Sequence, residues 1–240
     1  MNISSNDVYL LKQFFMIILF PYLLALCFIL TSCEGSGIAD ITAGKEYELY
    51  DYYIDKNGEE GIVIYIDSGK NETDIDYILV MSLDETECIW SKTGVSIANN
   101  DKSIKDYYEV GLFLNQRAYY LGLEKFPAFK WCIDKNRSKK YPDINSWVLP
   151  SLYHHSKHIP SLLRENQELI NHHIENYGGI PLDPEAYYWV ADEPSMASTS
   201  EPVSDLEYSL IFSMSGNYYT AKEALCRARA FKCILLDESL

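Results

Sequence analysis

The sequence predicts an α+β fold, and the order of its segments is the main reason. Segments with strand character come first, helical segments follow, and short strand-like segments return near the C-terminus. Strands grouped in this way favour antiparallel sheets, whereas strict alternation of strands and helices would favour a parallel sheet. The chain has 240 residues, 48% of them hydrophobic, which is sufficient for one sizeable domain.

The N-terminus has the layout of a bacterial lipoprotein signal. Lys12 precedes the apolar run 14–30, which leads into Thr31-Ser32-Cys33. A positive charge, an apolar run and small residues before a cleavage site are typical of an export signal. We therefore expect residues 1–32 to be a signal peptide. Lipid on Cys33 would then hold the exported protein to the bacterial cell envelope, at the outer membrane. The alternatives are an uncleaved anchor or plain secretion.

The next segments predict a tether and then an antiparallel sheet. Residues 33–45 are mostly small and polar, as in a linker between the lipid and a single domain over 46–240. Aromatic and β-branched residues dominate the segments Tyr47–Ile54, Gly61–Ile66 and Tyr77–Leu83, which predicts three strands. Asn57-Gly58 separates the first two, and this dipeptide is typical of a tight hairpin turn.

The middle of the chain predicts helices. Apolar residues recur at intervals of three to four over residues 103–135, with an interruption at Pro127. After a polar loop over 134–145, Ser151 is predicted to cap the N-terminus of a helical segment. A further helix is expected from Pro160 to Gly178-Gly179. Strand segments then return, at Tyr187–Val190, Ser209–Ser213 and Leu225–Leu235.

Several motifs over residues 60–233 resemble one family of bacterial surface domains. Trp147-Val148-Leu149-Pro150-Ser151 is similar to a Trp-x-Leu-Pro-Ser motif, and residues 188–193 are similar to Tyr-Trp-Ser-Ser-x-Glu. The family is the C-terminal domain of the Legionella collagen-like protein, with the related Fibrobacter paralogous domain. The residues that carry the resemblance are Trp147, Leu149, Pro150, Ser151, Gly178, Gly179, Trp189, Glu193, Arg229 and Phe231.

The resemblance implies a C-type-lectin-like domain with antiparallel strands, two or three helices and long loops. Members of the family look like adhesion or ligand-binding modules rather than enzymes. The resemblance also implies that Glu193 closes a hydrogen-bond network under the loops. His154 stands where the family has the acidic partner of a capping box. Fold alone does not determine function.

The cysteines leave the disulfide pattern open. Cys27 lies in the predicted signal and Cys33 is the predicted lipid site. The other four, Cys88, Cys132, Cys226 and Cys233, allow three pairings or free buried thiols. Disulfides are common in exported proteins. The resemblance implies Cys132–Cys226, although Cys226 is one residue from the family's position.

Charge and motif content restrict the possible partners. The net charge of −15 argues against nucleic acid, because phosphate would be repelled. Two metal sites are weaker alternatives: zinc on His154 and His158, one helical turn apart, with Glu175, and calcium on Asp192-Glu193-Pro194, which resembles the Glu-Pro pair of sugar-binding lectins. No cofactor is therefore predicted.

We expect a lipid-anchored, non-catalytic envelope protein that binds a glycan or a protein. The chain lacks a Gly-x-Ser-x-Gly nucleophile motif and a phosphate-binding glycine loop. The alternatives are an envelope hydrolase or modifying enzyme with a cryptic site, and a structural subunit of a surface assembly. Tyrosine is abundant, with 20 residues, and we expect most of the tyrosine doublets to pack in the core.

Overall fold

Eleven strands and four α-helices are found in the part of the chain that the structure, a computed structural model, describes. That part comprises residues 46–55, 57–67, 77–92, 94–97, 107–137, 146–154, 157–194 and 204–236. It belongs to one compact unit, Ile41–Leu240. The predicted signal peptide 1–32, the lipid site Cys33 and the tether 33–45 lie outside the described residues.

The first sheet has four antiparallel strands in the order β1-β2-β3-β11. The predicted Asn57-Gly58 turn joins β1 to β2: Gly58 has a positive φ of 83° and its N–H donates to Asp55 O (2.9 Å). Glycine adopts this conformation at little cost. The strands are β1 (Tyr52–Ile54), β2 (Glu60–Asp67), β3 (Tyr77–Ser82) and β11 (Phe231–Leu235).

The second sheet has five strands in the order β4-β10-β7-β8-β9. All of its pairs are antiparallel except β10 with β7. Its strands are β4 (Thr86–Cys88), β7 (Tyr188–Trp189), β8 (Tyr208–Ser213), β9 (Gly216–Ala221) and β10 (Cys226–Ala228). A separate hairpin pairs β5 (Tyr153–His154) with β6 (Lys157–His158).

The helices occupy the middle of the chain, as the sequence predicts. They are α1 (Tyr107–Leu121), α2 (Pro127–Arg137), α3 (Ile159–Glu165) and α4 (Gln167–Asn176), with a 3₁₀ turn at Leu123–Lys125. After α4, Gly178 has a φ of 75° and Gly179 N–H donates to Ile174 O (2.9 Å), so the predicted stop is confirmed. None of the helices in the described residues meets the length and apolarity needed to cross a bilayer.

Two hydrophobic cores lie on opposite sides of the second sheet. Trp189 and Ile211 belong to the first core, together with α2, while their neighbours Tyr188 and Phe212 belong to the second core. Side chains alternate between the two faces of a strand, so a sheet covered on both faces buries successive residues. The antiparallel α+β prediction is thus confirmed in outline.

Several detailed predictions are wrong. The first strand is only Tyr52–Ile54. Pro127 begins α2 instead of interrupting a helix, because proline lacks the N–H that a first helical residue leaves unpaired. The helix expected from Pro160 to Gly178 is two helices that meet at Asn166. The strand expected over 225–235 is two strands in different sheets. The described residues contain four helices, not the two or three expected.

Candidate functional site

The motif around Trp147 joins the first sheet to the loop after β7. Val148 exchanges backbone hydrogen bonds with Phe231 (2.8 and 2.9 Å), while Trp147 Nε1–H donates to Asp55 Oδ2 (3.0 Å). Leu149 is fully buried in the core. These contacts identify the motif as a structural junction.

Asp192 holds the other end of this motif. Its carboxylate accepts hydrogen bonds from Ser151 Oγ (2.9 Å) and Leu152 N–H (2.8 Å), and Ala191 N–H donates to Pro150 O (2.7 Å). Burial raises the pKa of Asp192 from 3.8 to about 6, although these hydrogen bonds act in the opposite direction. The predicted N-cap role of Ser151 is wrong, because its hydroxyl donates to Asp192 and the next helix begins only at Ile159.

Glu193 forms a fully buried ion pair with Lys222. Its carboxylate also accepts hydrogen bonds from Ser96 Oγ (2.8 Å) and Ile97 N–H (3.1 Å to each oxygen). Lys222 Nζ donates to Val95 O (2.7 Å) and Asp205 O.

The surroundings of Lys222 explain how a buried cation is tolerated. Its Nζ lies 4.4 Å from the centre of the Trp90 ring, a cation–π contact. Burial lowers the pKa of Lys222, whereas Glu193 and Asp205 act to raise it. Both oxygens of Glu193 point inward and accept protein donors, and those of Asp192 do the same. The calcium alternative at Asp192-Glu193-Pro194 is therefore wrong for these two carboxylates.

Arg229 connects the closing strands to the loop after α4. It is 2% exposed and donates to Glu85 Oε2 (2.5 Å) and to the carbonyl of Ile180 (2.5 Å). Ile180 N–H donates to Leu83 O (2.8 Å), and a Cβ on Gly179 would lie 2.8 Å from that same oxygen. The close backbone approach requires glycine here. Gly179, Arg229 and Glu85 thus form a framework for the fold.

His154 and His158 do not share the helix face that the zinc alternative requires. His154 and His158 lie on the β5–β6 hairpin, so the helix face that they were predicted to share does not exist. His158 caps α3, with its Nδ1 accepting from Ser161 N–H (3.3 Å). Burial, followed by the charge of Arg164, lowers its pKa. Within the described ranges, no three His, Cys, Asp or Glu side chains could hold a metal ion.

His173 takes part in an aromatic contact with the segment before β1. It stacks on Tyr50, with ring centroids 5.2 Å apart and an angle of 22° between the planes. Tyr50 has a positive φ of 71°, which is uncommon outside glycine. Tyr177 OH donates to Tyr50 O (3.2 Å). This aromatic contact fastens the segment before β1 to α4.

The best candidate for ligand contact is an exposed pair of tyrosines in the second sheet, one directly before β7 and the other on β9. Tyr187 is 48% exposed and Tyr218 is 42% exposed, and their rings meet edge to face with centroids 5.9 Å apart. We call these two residues the tyrosine pair. The hydroxyl of Tyr218 lies 3.0 Å from Ser215 Oγ, which lies 2.8 Å from Ser213 Oγ.

The neighbours of the tyrosine pair keep it rigid. Tyr188, next to Tyr187, is 2% exposed and stacks on Phe212 with ring centroids 5.3 Å apart. Tyr187 O accepts a hydrogen bond from Arg227 N–H (2.9 Å), so its backbone is part of the sheet. Rigid aromatic faces beside hydroxyl groups suit both glycan and protein ligands. The expectation that tyrosine doublets pack in the core therefore holds for one member of this doublet only.

A gap inside the second core offers no alternative site. It lies between the second sheet and α3, lined by residues such as Leu163, Tyr188 and Phe212, and it has no room for a water molecule. A substrate pocket needs a far larger concave space.

Residues that the sequence did not single out complete these networks. Lys222, Glu85 and Asp55 bind the motif residues Glu193, Arg229 and Trp147. They lie far from those motifs in the chain, and charged residues are too common in an acidic sequence to be chosen by spacing. The tyrosine doublets in the sequence were a signal for the tyrosine pair. Neighbouring residues of a strand face opposite ways, so one member of a doublet is expected to be exposed when the other is buried.

The fold is similar to that of a fimbrial protein from Bacteroides ovatus, known from a crystal structure. The two chains share 17% sequence identity with a TM-score of 0.51, and the similarity covers 78% of this chain and 48% of that one. This chain thus spans about half the length of that protein. At this level of identity the similarity concerns the fold alone. No protein-family model matches the chain, and no curated protein matches it.

Proposed function

We propose that this chain is a non-catalytic binding module of the bacterial cell envelope. In this proposal, lipid on Cys33 anchors the module, and the tyrosine pair contacts a glycan or protein ligand. The observation that carries the proposal is the contrast between Glu193 and the tyrosine pair. The motif carboxylate is fully buried in an ion pair, whereas two large aromatic side chains remain exposed on a rigid strand end.

Charge and chemistry favour a neutral glycan as the first ligand to test. The net charge of −15 would repel acidic sugars. A neutral sugar can place its C–H face on Tyr187 or Tyr218 and its hydroxyls near Ser215. We also propose that the domain is C-type-lectin-like, as the sequence motifs imply. The similarity to the fimbrial protein supports a location at the bacterial surface.

Binding by the full-length protein, extracted in mild detergent, tests the ligand proposal. The variant Y187A/Y218A removes the tyrosine pair. The matched control is Y119A/Y120A, because Tyr119 and Tyr120 on α1 are also exposed and meet edge to face with centroids 5.6 Å apart. Wild type, the Y187A/Y218A variant and the control are screened on a neutral-glycan array and against envelope proteins in a pull-down.

We expect the tyrosine-pair variant to lose at least about ten-fold in affinity, about 1.4 kcal/mol, with an unchanged melting temperature. The control variant should bind like wild type. Equal binding by all three proteins would remove the tyrosine pair from the proposal, and absence of binding in both formats would overturn the function itself.

The anchor has an independent test. Intact-mass analysis of the membrane-extracted protein should show diacylglycerol on Cys33 and no residues before it. Globomycin, which blocks the lipoprotein signal peptidase, should cause the precursor to accumulate, and C33S should leave the membrane fraction. A precursor level unaffected by globomycin would contradict the lipoprotein signal.

A structural subunit of a surface assembly is the second candidate. Strand β9 is at the end of the second sheet, its sequence Gly-Asn-Tyr-Tyr-Thr-Ala carries no charge, and no described strand pairs with its outer side. Edge strands that remain monomeric usually carry lysine, proline or a bulge. If β9 joins another chain, N217K/T220K should reduce the size of assemblies cross-linked on intact cells.

A further inference from the structure

Cys88 and Cys226 lie directly opposite each other in the second sheet. The antiparallel register of β4 and β10 pairs Cys88 with Cys226, Glu87 with Arg227 and Thr86 with Ala228. Opposite residues of an antiparallel pair have Cα atoms about 4.5–5.5 Å apart and side chains on the same face. A disulfide requires a Cα separation of about 4.4–6.8 Å. The register therefore satisfies the geometry of a cross-strand disulfide.

The backbone on both sides of this pair is held in place. Trp189 Nε1–H donates to Cys88 O (2.8 Å), and Arg227 N–H donates to Tyr187 O on the neighbouring strand (2.9 Å). Cys226 is 6% exposed in the first core, and Cys88 packs against the same core. The register that places the two cysteines opposite each other is thus held on both strands.

The other two cysteines are less well placed. Cys233 lies on β11 in the first sheet, opposite Leu79. Cys132 lies on α2, fully buried in the same core as Cys226, and the nearness of Cys88 adds to the burial that raises its pKa. No strand register, however, aligns Cys132 with either cysteine. The structure thus favours a pairing different from the Cys132–Cys226 bond that the family resemblance implies.

We propose that Cys88 and Cys226 form a structural disulfide when the chain folds in an oxidising compartment. The two thiols lose two protons and two electrons as the S–S bond forms. The acceptor is the disulfide of a thiol–disulfide oxidoreductase, which is reduced to a dithiol through a mixed disulfide with this chain. The cross-link would tie β4, near the start of the domain, to β10, near its end.

Burial determines when this reaction can take place. It raises the pKa of Cys88 to about 12 and that of Cys226 to about 11, and the nearness of Cys226 itself adds to the shift on Cys88. Only a thiolate attacks a disulfide, so both thiols are nearly inert at neutral pH once they are buried. The bond therefore forms during folding.

Oxidative refolding decides between the pairings independently of export and of ligand binding. The reduced, unfolded full-length chain is refolded in a mixture of reduced and oxidised glutathione, remaining thiols are blocked with N-ethylmaleimide under denaturing conditions, and peptides are mapped without reduction. We expect a peptide pair that links Cys88 to Cys226, with the other four cysteines, Cys27, Cys33, Cys132 and Cys233, labelled. A Cys88–Cys132 link as the main product, or label on both Cys88 and Cys226, would overturn the proposal.

Reduction provides a second measurement on protein isolated from the cell envelope. Dithiothreitol should lower the melting temperature of wild type and of the control C233S on the order of 5–10 °C. It should leave C88S and C226S unchanged, since neither can form the bond. If wild type does not respond to the reductant, or if C88S responds as wild type does, the disulfide contributes nothing to the folded state.

Discussion

Breaking the buried Glu193–Lys222 pair should cost about 3–5 kcal/mol of unfolding free energy. In E193Q the amide keeps the size of the carboxylate, and its oxygen can still accept from Ile97 N–H. That oxygen can also keep the bond from Lys222 Nζ, but it carries no negative charge to compensate this fully buried ammonium. In K222M the charge of Glu193 loses its ammonium partner, while the Ser96 and Ile97 donors remain.

The magnitude follows from the burial of both partners. A charge left unpaired in a dry interior has lost its hydration without compensation, whereas removing both charges avoids most of this penalty. We therefore expect E193Q/K222M to cost less than the sum of the two single variants, with a coupling of about 2–3 kcal/mol. The pair Lys130–Asp134 on α2 is the matched control, because its side chains are 39% and 41% exposed. K130M should cost less than about 0.5 kcal/mol.

Urea unfolding of the full-length protein, followed by tryptophan fluorescence, measures these differences. Trp90 is a useful reporter because its ring contacts Lys222. A cost below about 1 kcal/mol for E193Q, or additive single variants, would refute the argument from buried charge.

Two further predictions test other parts of the framework. Burial raises the pKa of Asp192 from 3.8 to about 6 in the folded state, so the folded state binds this proton more tightly than the unfolded state. Wild type should therefore gain up to about 3 kcal/mol of unfolding free energy over D192N as the pH falls from 7 to 4. A pH-independent difference in urea titrations would contradict this. A Cβ on Gly61 would lie 2.5 Å from Val80 Cγ1 and 2.8 Å from Met81 O, whereas one on Gly58 meets nothing within 4 Å. G61A should therefore lower the melting temperature more than G58A, which costs about 1–2 kcal/mol through its positive φ alone; calorimetry showing the reverse order would refute the contact argument.

Sequence patterns predicted many of the strands and helices, because these elements depend largely on residues that are close together in the chain. The β-branched run at Gly61–Ile66 and the helix stop at Gly178-Gly179 depend on neighbouring residues, and the structure has both. The strand expected over 225–235 failed for a different reason. Arg229 and Ala230 separate two strands that join different sheets. The alternation of buried and exposed residues along a strand does not show which sheet the strand joins.

The hydrogen bonds and the ion pair around the motif residues were harder to predict, because they join distant parts of the chain. Ser151 has good N-cap chemistry, yet its hydroxyl donates to Asp192, and the cap of α3 is His158. Glu193 was selected by resemblance, but its partner Lys222 belongs to a turn with no motif of its own. Sequence spacing can identify side chains capable of hydrogen bonding or ion pairing, whereas their partners depend on the tertiary fold.

Under the proposed function, the alternation of Tyr187 and Tyr188 assigns ligand contact and core packing to different positions of one strand. Tyr188 fills the core, while Tyr187 can change without disturbing it, and Tyr218 has the same freedom on β9. A lineage could thus acquire new ligands by substituting these two exposed positions while its scaffold stays constant. Deleting one residue just before β7 would have the opposite effect, because a shift of one position exchanges the buried and exposed faces of a strand. Substitution would be tolerated at this strand end, and insertion or deletion would not.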